Sequence, residues 1–373
     1  MHHHVFRMFA AVLAATLISA ALVPSAFAAD TAPARTAATV AAESADPDTP
    51  TGMSISVSDD TITISMNRIG KSSTGTAKVV RMNSNQYRKG DKVHGLASAG
   101  TEGSVIGSYK LGSANVSIKT NRYSKYGRDY LYSKYYLVKD GKIVAGPYYA
   151  TSISAPRASI TVKTTSKKGI ANEDTARINE VKDLGAQHAA LNIVANWILR
   201  PNEDEKRNAI SYEGRSDVIP FESNGTTYYF DANQVGIYDR LISQYTKAGI
   251  DVQAVVIARP PDNWSQYPRS LSYLSKPTQS TIGFNTSNGK GRDYFIALME
   301  FLANRYSQSS DTGYVSDYII GNEIDQAYSW NRISTKKNSS GPEPLGTYME
   351  EYSRALRLAN NGGFGSLCDK GLA

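Results

Sequence analysis

Residues 250–258 read Ile-Asp-Val-Gln-Ala-Val-Val-Ile-Ala, a short apolar run that follows directly on Gly249. A run of this length, rich in β-branched residues, suits a strand buried on both faces, as in a parallel sheet. Working upstream, Gln234–Ala248 has helical character, with Asp231 placed to cap its start and Gly249 to end it. Ala189–Trp197 is a second largely apolar run, ending in Asn196-Trp197. Downstream, Tyr314–Ile320 is a third, ending in Gly321-Asn322-Glu323-Ile324-Asp325. Helices are predicted over Asn172–Gln187, Arg292–Tyr306 and Leu345–Ala359, and a first strand near Ser159–Ile170. Asn224-Gly225, between Val218–Phe221 and Thr226–Phe230, reads as a hairpin inserted before the second helix. Four βα units in a row fit a doubly wound sheet or a (β/α)8 barrel. The barrel is favoured, because no Gly-rich phosphate loop follows the first strand and long loops follow the strand C-termini.

The preceding stretch has a different period. Ser54–Ser58 and Thr61–Met66 alternate polar with apolar across Asp59-Asp60, and Tyr130–Val138 and Ile143–Ile153 flank Lys139-Asp140-Gly141-Lys142. Asp-Gly is a preferred pair for a tight primed turn. Alternating strands joined by polar turns, with no helical stretch, predict a β-sandwich. The expected fold is therefore multidomain β plus α/β: an N-terminal β-sandwich over residues 53–160, then the first half of a (β/α)8 TIM barrel over 161–373.

Composition narrows the chemistry. The 373 residues include five His, three of them at positions 2–4, and a single Cys368. No intramolecular disulfide can form, no Cys/His zinc set is available, and no cofactor is expected. Residues 5–28 read as a secretory signal peptide: Arg7, an apolar run from Phe9 to Val23, and a small-residue site at Ala26-Phe27-Ala28. The run is short for a span of roughly 20 residues. Cleavage after Ala28, a flexible linker over 29–52 and a secreted protein without stable membrane insertion are the expectation.

Over residues 53–160 there are 16 Lys and Arg against 6 Asp and Glu, whereas 161–373 is nearly balanced. The stretch from Asn121 to Tyr136 interleaves cations with tyrosines. It could hold an acidic cell-surface polymer or a sugar polymer through charge and ring stacking. It could equally be a half-exposed strand whose Tyr and Lys cover the sheet. Nucleic acid is not an expected partner for an exported protein.

Tyr318-Ile-Ile-Gly-Asn-Glu-Ile324 resembles the fourth-strand motif of the large clan of retaining (β/α)8 glycoside hydrolases, and Leu302-Ala-Asn-Arg-Tyr306 is also typical of it. The whole layout is similar to an uncharacterised family of secreted bacterial proteins assigned to such barrels. The resemblance implies that Glu323 protonates the glycosidic oxygen and that Asn322 binds the neighbouring hydroxyl. On another reading, Glu323 pairs with a nearby cation and Asn322 caps a turn. Asn196, Trp197, Arg259 and Trp330 fall at other strand ends or the adjoining loop, where they could line the same pocket, while Asp325 reads as a turn residue. The partner expected is a carbohydrate polymer. Retaining chemistry uses a second carboxylate about 5 Å away, carried in that clan by strand seven. The stretch Asn360–Ala373 has no β-branched run. The expectation is a barrel truncated after about the fourth βα unit, inactive alone, with open sheet edges that favour association, or else a non-catalytic carbohydrate-binding protein.

Overall fold

The alternating N-terminal segments pair into two four-stranded sheets. The computed structural model describes residues 51–82, 89–93, 103–154, 163–171, 175–202, 211–259, 269–271, 283–287, 289–307, 311–322 and 345–368. The expected signal peptide and residues 29–50 of the expected linker lie outside these residues, while Gly52, placed in that linker by the sequence reading, opens the first strand. One sheet has the order β5 (Val116–Asn121), β2 (Thr61–Asn67), β1 (Gly52–Val57), β8 (Ser152–Ile153). The other runs β4 (Gly103–Lys110), β3 (Thr76–Met82), β6 (Lys134–Lys139), β7 (Lys142–Tyr148). Period-two alternation puts Ile55, Val57, Ile62 and Ile64 in one apolar cluster with Ala77, Val79, Tyr135 and Leu137 of the second sheet. The two sheets approach closely at Gly107, where a Cβ would meet Ile118 Cδ1 at 2.6 Å. On the other face of the second sheet, Val80, Met82, Val93, Tyr136, Val138 and Ile143 form a smaller cluster. The β6–β7 turn has the predicted primed geometry, with Asp140 at φ 49° and Gly141 at φ 72°.

The C-terminal half alternates strands with helices. In chain order these are β9 (Gly169–Ala171), helix α1 (Ile178–Asp183), β10 (His188–Val194), the single turn α2 (Ala195–Ile198) and β11 (Leu199–Arg200). The hairpin β12 (Val218–Ser223) and β13 (Thr226–Asp231) follows, then α3 (Ala232–Lys247), β14 (Asp251–Ile257), α4 (Gly289–Tyr306), β15 (Asp317–Ile320) and α5 (Leu345–Cys368). Strands β9, β10, β14 and β15 make one parallel sheet in which spatial order follows chain order. No closed barrel occurs among the described residues, so the architecture is a mixed α/β fold with strands in several sheets and few helices. Asp231 caps α3, its carboxylate accepting from Gln234 N at 2.8 Å, and Gly249 ends it at φ 72°.

Several elements differ from the sequence expectation: Tyr130–Tyr132 forms a 3-10 turn ahead of β6, and β15 begins at Asp317 rather than Tyr314. The first helix is shorter than Asn172–Gln187, because Gly185 turns left-handed at φ 70° and leaves α1 at Asp183. The run Ala189–Trp197 is a strand only to Val194, after which Ala195–Ile198 turns helical. The last helix continues past Ala359 to Cys368, through a glycine-rich stretch that disfavours helix by propensity. Packing accounts for this: a Cβ on Gly362 would lie 3.1 Å from Met299 Cβ, so glycine lets α5 approach α4 closely.

The β layers and the parallel-sheet region share a single apolar cluster, and all described residues fall within one compact unit, Pro50–Ala373. Their joint is polar as well as apolar. The Tyr132 hydroxyl donates to the Glu300 carboxylate of α4, both groups being buried. At the β12–β13 turn, Asn224 Oδ1 accepts from Asp129 N at 2.6 Å, and Gly225 passes too close to the Tyr126 carbonyl for a side chain to fit. Arg122 lies wholly inside, holding Asp129 through Nη2 at 2.6 Å.

Candidate functional site

The three apolar runs that form β10, β14 and β15 stop at a common level. Val194 pairs with Ile257, and Val256 pairs with Ile320, so the residues just beyond each strand gather along one edge of the sheet. Gly321 continues the ladder, donating to Val256 O at 2.9 Å with φ 78°, and exposed Asn322 follows it. Two tyrosines brace this edge. The Tyr238 hydroxyl on α3 accepts from Val194 N at 3.0 Å, and burial pushes its pKa up to about 12. Tyr352 on α5 donates to the Ile320 carbonyl at 3.0 Å.

Asn196 and Trp197 sit in α2, the single turn that ends β10. Asn196 is 5% exposed, and its Oδ1 accepts the backbone N–H of Arg259 at 2.8 Å. That bond ties the end of β10 to the end of β14. Trp197, in contrast, is 38% exposed, and the Arg259 guanidinium carbon lies 5.8 Å from its ring centroid. This is cation–π distance, so the ring and the cation present one composite surface. Among the described residues, the buried Arg259 Nε has no hydrogen-bond partner.

Of the residues singled out in the sequence, Arg259 thus meets both Asn196 and Trp197, and Asn322 lies just past the end of β15, the strand beside β14. Glu323, Asp325 and Trp330 lie outside the described residues. Tyr238 went unnoticed in the sequence because its spacing to Ile242 and Tyr245 matches the buried face of a helix. Among the described residues, no group of three or more His, Cys, Asp or Glu side chains is placed to hold a metal ion. No helix among them is long and apolar enough to cross a membrane.

A family described as of unknown function, DUF5722, matches residues 161–362, just over half of the chain. The chain belongs to the DUF5722 family. No curated protein matches it. The DUF5722 region contains the whole parallel sheet and every candidate residue at its C-terminal edge. The two β layers, over 51–154, precede it. Within the DUF5722 region the arrangement offers a half-exposed ring, a guanidinium and amide groups on a rigid strand-end frame.

Proposed function

We propose that the parallel sheet is the first half of a (β/α)8 barrel, preceded by a β-sandwich, and that its C-terminal edge binds a polysaccharide. In this reading the protein is secreted, glycoside-hydrolase-like, and acts on polysaccharide or descends from enzymes that do. The observation that carries it is the grouping of Asn196, Trp197 and Arg259 at the strand ends. An aromatic face stacks on the apolar face of a sugar ring, while amide and guanidinium groups bond its hydroxyls. The chain-order parallel sheet supports the barrel assignment, since doubly wound sheets reverse strand order at a switch point. Glu323, next in sequence to Asn322, is the proposed acid, and hydrolysis by the retaining route would need a second carboxylate about 5 Å from it.

The test is affinity electrophoresis of the full chain against a panel of neutral and acidic polysaccharides, with reducing-end release measured in parallel. Binding is expected, weakened at least about tenfold in Trp197→Ala, a loss typical of one stacked ring. Glu323→Gln is expected to keep the binding and to abolish any release. A chain that retards on no polysaccharide would overturn the reading. Amino-terminal sequencing of the protein from culture medium, expected to begin at Ala29, tests secretion.

A second reading is a non-catalytic surface-polymer binder that uses the basic β layers. It draws on the Lys125–Arg128 turn, where Tyr126 is 76% exposed and the Lys125 ammonium lies 4.8 Å from its ring centroid. Binding that survives Trp197→Ala but falls in Tyr126→Ala would favour this reading.

A further inference from the structure

Several arginines of the C-terminal region have a carboxylate partner. Arg200 is bonded to Asp231, Arg292 to Asp293, Arg305 to Asp239 and Arg354 to Glu351. Arg259 is placed differently. It is only partly exposed, and among the described residues its buried Nε has no hydrogen-bond partner and no carboxylate pairs with it. Its backbone is fixed by Asn196 and its guanidinium is held near the Trp197 ring. Leaving a guanidinium partly desolvated without a counter-charge is costly. The planar fork of Arg matches a carboxylate or sulfate with two parallel hydrogen bonds, whereas sugar hydroxyls satisfy its donors but leave its charge uncompensated.

We infer that Arg259 selects sugars carrying an oxyanion, so that the ligand of this edge is an acidic polysaccharide with its charged group over Arg259 and its ring on Trp197. The inference rests on the carbohydrate reading above and adds the substrate class. The shared chemistry is a planar or tetrahedral oxyanion on the sugar, supplied by a uronic acid or by a sulfate ester.

The experiment uses the full chain and titration calorimetry with three oligosaccharides of equal length: an oligogalacturonate, a sulfated galactan fragment and a neutral cello-oligosaccharide. The wild type is expected to bind at least one acidic probe about tenfold or more tighter than the neutral one, the gain of one charge-assisted pair. The preferred acidic probe identifies which oxyanion fits. Arg259→Gln is expected to level acidic and neutral affinities. Arg259→Lys, which keeps the charge but loses the fork, should retain only part of the preference and carries the test if the Gln variant misfolds. Equal wild-type affinities for neutral and acidic probes would overturn this inference and leave the carbohydrate reading standing. An acidic preference that persists in Arg259→Gln would also overturn it, placing the preference on the lysines of the β layers. If no probe binds, the carbohydrate reading falls and this inference falls with it.

Discussion

Lys134 gives the joint between the β layers and the helices a pH dependence that can be worked out beforehand. The side chain lies on β6, is 5% exposed, and has its pKa lowered to about 7. Burial is the main cause; the cations Arg354, Arg292 and Arg357 add to it, and Glu351 opposes them. In the unfolded chain the same amine holds its proton to about pH 10. Between pH 7 and 10 the unfolded state therefore binds more protons, and stability rises with pH. Integrated from pH 7 to 9, this amounts to about 2 kcal/mol. Burial raises the pKa of Tyr132 and Tyr306, so their ionisation in the unfolded chain works the other way, but only from about pH 10 upward. Urea unfolding at pH 7, 8 and 9 and constant ionic strength, on wild type and Lys134→Met, isolates the effect. The advantage of the Met variant should shrink by about 2 kcal/mol between pH 7 and 9. Parallel stability curves for the two proteins would show that Lys134 keeps its proton in the fold, and would refute the reasoning.

Three further outcomes follow from single contacts. Tyr132→Phe removes the hydroxyl that donates to buried Glu300 and should cost about 2 kcal/mol in urea unfolding, the usual scale for a hydrogen bond to a charged group; a loss below about 0.5 kcal/mol would mean the bond adds nothing. Gly225→Ala places a methyl at φ 76° against the Tyr126 carbonyl and should lower stability by about 2 kcal/mol, seen as a reduced melting temperature. Asp231→Ala loses both the cap on α3 and the partner of Arg200, for about 1–2 kcal/mol; an unchanged urea midpoint would show that neither contact contributes.

Local chemistry made much of the fold legible. Asp140-Gly141 and Asn224-Gly225 announce their turns because few other pairs hold two successive positive φ angles, and both turns form where the sequence places them. Strands β10 and β14 are equally plain, since largely apolar β-branched runs have few other uses, whereas β15 leaves Asp317 and Ile319 exposed. The end of the last helix was hidden, because the closeness of Gly362 to Met299 depends on α4, which lies some sixty residues away in the chain. Propensity alone stops that helix early. The positions of Asn196, Trp197 and Arg259 could be read from where apolar runs end. The bond from Arg259 N to Asn196 Oδ1 could not, because it depends on the register between β10 and β14.

The tyrosine-rich stretch from Asn121 to Tyr136 shows what a sequence leaves open when composition is the only guide. Rings and cations in alternation suit a polymer-binding surface and a domain joint equally well, since both need flat apolar area with charged tips. Three dimensions divide the stretch between the two uses. Arg122 and Asp129 bond each other inside, and Leu131 through Tyr136 are buried in the core and at the joint with α4 and α5. Apart from Asn121 at the end of β5, only Lys125 to Arg128 stay exposed, and they do so at the turn that meets the β12–β13 hairpin. That hairpin leads directly into α3, whose Tyr238 braces the end of β10. The frame under Asn196 and Trp197 is therefore tied, through β13 and α3, to the β layers that precede the DUF5722 region. A site built on strand ends needs rigid support to hold a ring and a guanidinium in register, and here part of that support comes from outside the matched family region.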